Sequence, residues 1–570
     1  MLRLFETHKV RKQQELSGLW DFAKTDSDEI NPAYSYQLPV PGCWEMHPDL
    51  LTYRGKGQYR TFVNIERKSA IRLEFKGVSH TAEVYFKGIL VAEHYNAYTP
   101  FSTVINDVEP GRHEIVVKVD NSFSEKSSLH IPNDYYTYGG IIRPISIEEI
   151  ASSYIERIAF TPEKVNGVWQ AEVEVITSNL AEKDMPITLK GLLDEHPFDI
   201  GTTTIPAKTN GMSLTKKIIF GDVTEWSHEK PQLYLLDIQL FLEEQEFPSD
   251  DLIERVGFRT VTTKNERIQI NDKDVVLKGF NRHEDHPLVG ASFPLQLMIH
   301  DLDLMIDMGA NSVRTSHYPN DEIFLDLCDE RGILVWEENH ARGLSLEQMQ
   351  NPYFAKQCDV VNREMVENHY NHPSIIIWAI LNECASNTEE GRIHYKTQLE
   401  QIRSLDHSRP LSFASHHRDK ELCFDLVDIV SLNLYPQWYG DEDPGDLVDA
   451  SRLWANQLGG NGKPLIMSEF GGDGFYGFRS PTKVKGSEER QVDIIEKNLE
   501  AYTQRDFVSG MYIWQFCDCR VTEEGSWPLM RAQTQNSKGI VDAYRRPKLA
   551  YSTVKKYFKE ATEHVKTEPS

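Results

Sequence analysis

At 570 residues the chain exceeds what one core organises, and at roughly 150 residues per domain three or four units are expected. A formal charge of −26 with 40% hydrophobic residues describes an ordered globular protein and argues against nucleic acid or an anionic membrane as partner, since both are bound through cations. Seven cysteines without regular spacing make no disulfide framework, the first residues lack an apolar secretory core, and no window nears the ~18 apolar residues of a membrane span, so the expected compartment is the cytoplasm.

Residues 1–150 carry short alternating segments, RLEFKGV (72–78), TAEVYFKGILVAEH (81–94) and HEIVVKV (113–119), with Lys87-Gly88 as a hairpin turn. This is the pattern of a jelly-roll β-sandwich. Residues 151–263 continue in the same style, with VWQAEVEVITS (168–178), MPITLKGLLDE (185–195), QLYLLDIQLFLEE (232–244) and LIERVGFRTVTT (252–263). Their length and seven or so short strands fit an immunoglobulin-like sandwich, without the Cys…Trp…Cys of antibody domains.

From 264 to 570 the rhythm changes to strands alternating with helices. Strands are expected at 275–281, 311–317, 333–339, 375–383, 411–417, 429–435, 464–472 and 510–516. Helices are expected at 295–309, 321–332, 353–370, 389–404, 489–503 and 548–561, with a frayed polar tail after the last. Eight strands in this arrangement predict a (β/α)8 TIM barrel.

The fourth strand, IIIWAILNE (375–383), is apolar throughout and then ends in Asn382-Glu383, while the seventh, PLIMSEF, ends in Ser468-Glu469. Parallel barrels place their chemistry at the C-terminal ends of their strands. Two carboxylates facing one another there suit glycosidic bond cleavage, one protonating the leaving oxygen and one attacking the anomeric carbon. One such carboxylate alone reads more readily as a core strand running into a loop, and a divalent cation would need further oxygen ligands. His283, Glu284, Asp285 and His286 lack the spacing of a metal motif, so neither metal nor cofactor is expected.

LSGLWDF (16–22), PVPGCWE (39–45), PQLYLLDI (231–238), GFNRHEDH (279–286), VRTSHYP (313–319), WAILNEC and SEFGG together resemble glycoside hydrolase family 2 over essentially the whole chain. The resemblance implies a retaining exo-glycosidase with Glu383 as acid/base, Glu469 as nucleophile and Asn382 on the sugar 2-hydroxyl. In such a pair the acid/base carries the raised pKa, from burial and from the facing carboxylate.

Asn536-Ser537-Lys538 after the eighth strand resembles the N-x-K motif with which the family's β-glucuronidases hold the C6 carboxylate, and an ammonium beside an amide suits that grip. A neutral sugar would leave Lys538 desolvated without a partner. DYYTYGGIIRP (134–144) resembles the jelly-roll loop that lends Asp134 to the sugar pocket, and NLYPQWY (433–439) the segment that supplies Tyr435 and Tyr439. His317 and Trp514 would complete the wall. Where the bacterial β-glucuronidase type has an arginine four residues before the motif asparagine, this chain has Ala532, with Arg531 adjacent as the substitute. The implied activity is hydrolysis of β-D-glucuronides by a homo-oligomer; β-galacturonidase or β-galactosidase activity is the alternative, and a non-catalytic carbohydrate-binding protein the alternative of another class. The short segment 338–354 after the third strand implies an open mouth and large or oligomeric substrates.

Overall fold

The computed structural model describes residues 2–565 apart from 26–31, 222, 243–244 and 525–530. The end of the 232–244 segment and the expected polar tail beyond 565 lie outside the described residues.

The first sandwich packs a four-stranded sheet, containing Lys12–Glu15, Ile145–Ile150, Ser69–Phe75 and Phe101–Val108, against a six-stranded one. Alternation puts one face of each strand inward, so that Trp20, Phe22, Leu73, Phe75 and Val117 meet in one core. Lys87 and Gly88 both take positive φ, 53° and 76°, between Thr81–Phe86 and Ile89–Tyr95, the twist a two-residue hairpin needs. The second sandwich pairs a three-stranded sheet (Ser153–Val165, Val168–Asn179, Thr209–Gly221) with a four-stranded one, around Phe160, Trp169, Leu189 and Phe258.

The third unit is the barrel. Its strands are β1 (Leu277–Arg282), β2 (Ser312–Thr315), β3 (Leu334–Glu338), β4 (Ile375–Ala379), β5 (Leu411–Ser412 and Ala414–Ser415), β6 (Val430–Asn433), β7 (Leu465–Phe470) and β8 (Val508–Ile513). All are parallel, and β5 is split at Phe413, its first half pairing with β4 and its second with β6, so the ring closes. Every residue of β4 is buried, because side chains packed inside the barrel and helices outside leave no wet face. Trp336, Ile377, Ile466 and Tyr512 fill the interior, and Ile268 and Ile270 from a small antiparallel meander pack onto it.

Two expectations are corrected. The fourth strand ends at Ala379, not at 383, because Leu381 and Glu383 adopt left-handed φ of 47° and 53°, which turns the chain out of the sheet. A helix at Pro444–Ala455, capped by Asp443 with proline in its first turn, also lies between β6 and β7 where none was expected.

The first sandwich is docked on the barrel mouth through the segment 121–144. Arg143 donates to Glu284 and to the Pro319 carbonyl, both at 2.8 Å, and the Tyr138 hydroxyl donates to Asp285 at 2.8 Å. The acidic residues of the HEDH run therefore hold the two domains together. Among the described residues no helix is long and apolar enough to cross a membrane, and all seven cysteines are unpaired and buried.

Candidate active site

The C-terminal ends of the barrel strands surround a pocket of about 400 Å³. Glu383 and Glu469 both line it, as do Asp134, Tyr435, Trp514 and Arg531. Tyr439 forms its rim, two-thirds exposed. Asn382, His317, Asn536 and Lys538 are buried one contact behind the wall. The structure thus brings every residue expected from the sequence into one neighbourhood, seven at the pocket and four supporting it.

Both oxygens of Glu469 have partners. Arg314, at the end of β2, donates to Oε1 at 2.9 Å, and the Tyr435 hydroxyl donates to Oε2 at 2.6 Å. The same guanidinium reaches Glu338 on β3 through two bonds of 2.8 and 2.9 Å, Asn281 at 2.9 Å and Asn382 Oδ1 at 2.8 Å. One buried cation therefore fixes the ends of β1, β2, β3 and β7 around the carboxylate. His317 bonds Glu338 at 2.7 Å and stacks on Trp514 with ring centres 5.0 Å apart. Its burial beside the arginine holds it neutral.

Glu383 has two differently held oxygens. Oε1 accepts from Asn433 at the end of β6 at 2.9 Å. Oε2 faces His416 at 3.6 Å and Arg342 at 4.0 Å. Asn433 also donates to Asn382 Oδ1 at 3.0 Å, which leaves the buried Asn382 amide nitrogen without a partner. A sugar hydroxyl would satisfy it.

The charges of the two carboxylates are coupled. Burial and the facing Glu383 push Glu469 up to about 7, against the pull of Arg314 and Tyr435. Burial opposes ionisation of Glu383 too, but the His416 contact, the Arg342 charge and the Asn433 bond outweigh it and hold that carboxyl well below the usual range. In the unliganded pocket the order of the two acids is therefore the reverse of the one expected, because His416 and Arg342 both favour the ionised form of Glu383.

At the other end of the pocket Asp134 is gripped by Arg342 (3.2 Å), Arg531 (3.1 Å) and Asn536 (3.1 Å). The charges of Arg342, Arg531 and Lys538, more than offsetting its burial, keep it ionised. Arg531 thus does stand in the site, beside the position where Ala532 interrupts the motif. The Lys538 ammonium lies 3.0 Å from Asp473, over the rings of Trp438 and Tyr439, so that, contrary to expectation, a neutral sugar would not leave it wholly without a counter-charge. The pair is not aligned as a hydrogen bond, so the ammonium keeps donors to spend on a second carboxylate.

Sequence reasoning missed Arg314, Glu338, Arg342, Asn433, His416 and Asp473. Glu338 had a legible signal, since with Glu337 it ends a barrel strand that begins Leu-Val-Trp, whereas Arg314 sits in Ser312–Thr315, a short strand with polar residues at both ends. Arg342 and His416 lie on loops whose path no local pattern gives.

Three domain models of the glycosyl hydrolases family 2 match the chain: the sugar binding domain over residues 14–150, the central domain over 153–259 and the TIM barrel domain over 261–562. The chain belongs to glycosyl hydrolase family 2. It is a glycoside hydrolase built of the family's three domains. It is similar to the human β-glucuronidase, 28% identical and covering 97% of this chain and 92% of that one. The β-glucuronidase of Streptococcus agalactiae is 26% identical with 96% of each chain covered. A crystal structure of a family-2 β-galacturonidase from Eisenbergiella tayi bound to galacturonate is 46% identical, with a TM-score of 0.93 over 98% of this chain and 99% of that one.

Proposed function

We propose that this family-2 hydrolase is a retaining exo-β-uronidase, and that β-D-galacturonides are its better substrates. The observation that carries the uronide reading is the group of cations at one end of the pocket, where Arg531 and Arg342 hold Asp134 beside Asn536 and the Lys538 ammonium lies against Asp473, in a chain of net charge −26. An anionic glycone needs such a local cationic group to enter against the overall field.

Glu469 attacks the anomeric carbon, with Arg314 and Tyr435 fixing both of its oxygens. Glu383 donates the proton to the leaving oxygen. Oε1 is occupied by Asn433, so Oε2 is the oxygen that acts. The pair shares one proton up to about pH 7, and in the empty pocket that proton favours Glu469. The mechanism requires that proton on Glu383 when the leaving oxygen lies at Oε2, and a less polar surrounding for Oε2 would favour that transfer. Once the glycosyl ester has formed, the Glu469 charge is gone, and Glu383 becomes the base that activates water.

Galacturonate and glucuronate differ only at C4, the ring carbon next to the one bearing the carboxyl-carrying arm. Asp134 touches Asn536 and is braced by Arg342 and Arg531, so this group of residues is the one that meets the C4 hydroxyl. The 46% identity to a β-galacturonidase, against 26–28% for the β-glucuronidases, supports the galacturonide. The β-glucuronide remains the second reading, favoured by the curated relatives, which share the three-domain plan over nearly their full length. A cytoplasmic homo-oligomer is part of the same proposal, and the seven unpaired buried cysteines support the compartment.

The test is hydrolysis of p-nitrophenyl β-D-galacturonide, β-D-glucuronide and β-D-galactoside by the purified protein. The expected order of kcat/KM is galacturonide, then glucuronide, then galactoside by a wide margin. A galactoside cleaved best would overturn the uronide reading, and a glucuronide cleaved best would make the second reading the first.

A further inference from the structure

We infer that the loops after β5 and β6 form an aglycone subsite that takes a sugar residue, an inference that rests on the uronidase reading. The direction in which the aglycone leaves is set by Glu383. With Oε1 engaged by Asn433, the leaving oxygen must sit at Oε2, which is approached by His416 and Arg342. Arg342 is drawn toward the glycone end by its ion pair with Asp134 and its bond to Asn133. The aglycone therefore passes His416, whose half-exposed side chain marks the way out.

Beyond His416 the same pocket wall is Arg418 and Glu442. Arg418 holds a left-handed φ of 56°, unusual for a residue with a side chain, and turns both terminal guanidinium nitrogens onto one Glu442 oxygen at 3.2 Å. The other carboxylate oxygen lies flat over Gly440, where a Cβ would come within 2.1 Å of it. Both side chains remain about 40% exposed. The pair thus presents fixed donors and acceptors side by side at the mouth, and its lone carboxylate oxygen leaves the guanidinium with hydrogen bonds to give. Such a surface matches the alternating hydroxyls of a sugar ring rather than the flat apolar face of an aryl group.

The experiment compares an aryl β-uronide with a β-uronosyl disaccharide of the same glycone, using the full chain and its Arg418→Ala and Arg418→Lys variants. The ratio of kcat/KM, disaccharide over aryl, is expected to fall at least fivefold in Arg418→Ala and to recover in part with lysine. Thermal melting of each variant identifies any that fail to fold; Glu442→Gln then gives the same comparison from the other partner. A smaller fall, or equal losses on both substrates, overturns the subsite. So does a wild type that cleaves the aryl uronide and leaves the disaccharide intact. If neither uronide is cleaved, the uronidase reading itself fails and takes the subsite with it.

Discussion

In the proposed mechanism Glu383 and Glu469 carry the chemistry, and their neighbours decide which of them holds the proton. Loss of the shared proton leaves no general acid, and burial with the facing carboxylate places that loss at about 7. Activity should therefore fall as pH rises through about 7, read as the alkaline limb of the kcat/KM profile; a profile flat from pH 6 to 9 would contradict the shared proton. Glu383→Gln should slow a substrate with a poor leaving group by about 10²–10⁴-fold and one with an acidic phenol much less, because only the former needs the proton. The two glutamates were legible because each is a charge at the end of an apolar run. Their partners were not, since the contacts that set the proton's place join residues from distant strands, such as His416 to Glu383 and Arg314 to Glu469.

At the scale of elements, the strand ends are held in register by Arg314, which is fully buried with Glu338 and Glu469 as its counter-charges. Arg314→Ala would leave two buried carboxylates uncompensated, a loss of about 3–5 kcal/mol in denaturant unfolding, together with near-complete loss of turnover. A variant as stable as the wild type would refute the network. The eight-strand rhythm was readable from the order of short apolar-rich runs between helical patterns, because parallel strands covered on both sides carry few polar residues. The end of β4 was not, since Ile380 and Leu381 continue the apolar run after the backbone has already left the sheet. The helix Pro444–Ala455 was hidden behind the polar, glycine- and proline-bearing stretch 440–445, although Asp443-Pro444 is the start signal that would have found it.

At the scale of the molecule, the pocket is complete only when the first sandwich sits on the barrel, because Asp134 comes from the sandwich and its cations from the barrel. Arg143→Ala removes the buried tie to Glu284 and Pro319, and should lower the melting temperature and raise KM more than it lowers kcat. The barrel could be told from the sandwiches before it by the change of strand rhythm, but this docking depends on contacts between residues more than a hundred positions apart. Lys538→Ala puts the central claim to its most direct test, by comparing kcat/KM for an aryl β-uronide and for the matching neutral glycoside. A charge-assisted contact worth about 3 kcal/mol predicts a loss of about 10²-fold on the uronide and little change on the neutral sugar; equal losses on both would contradict the account.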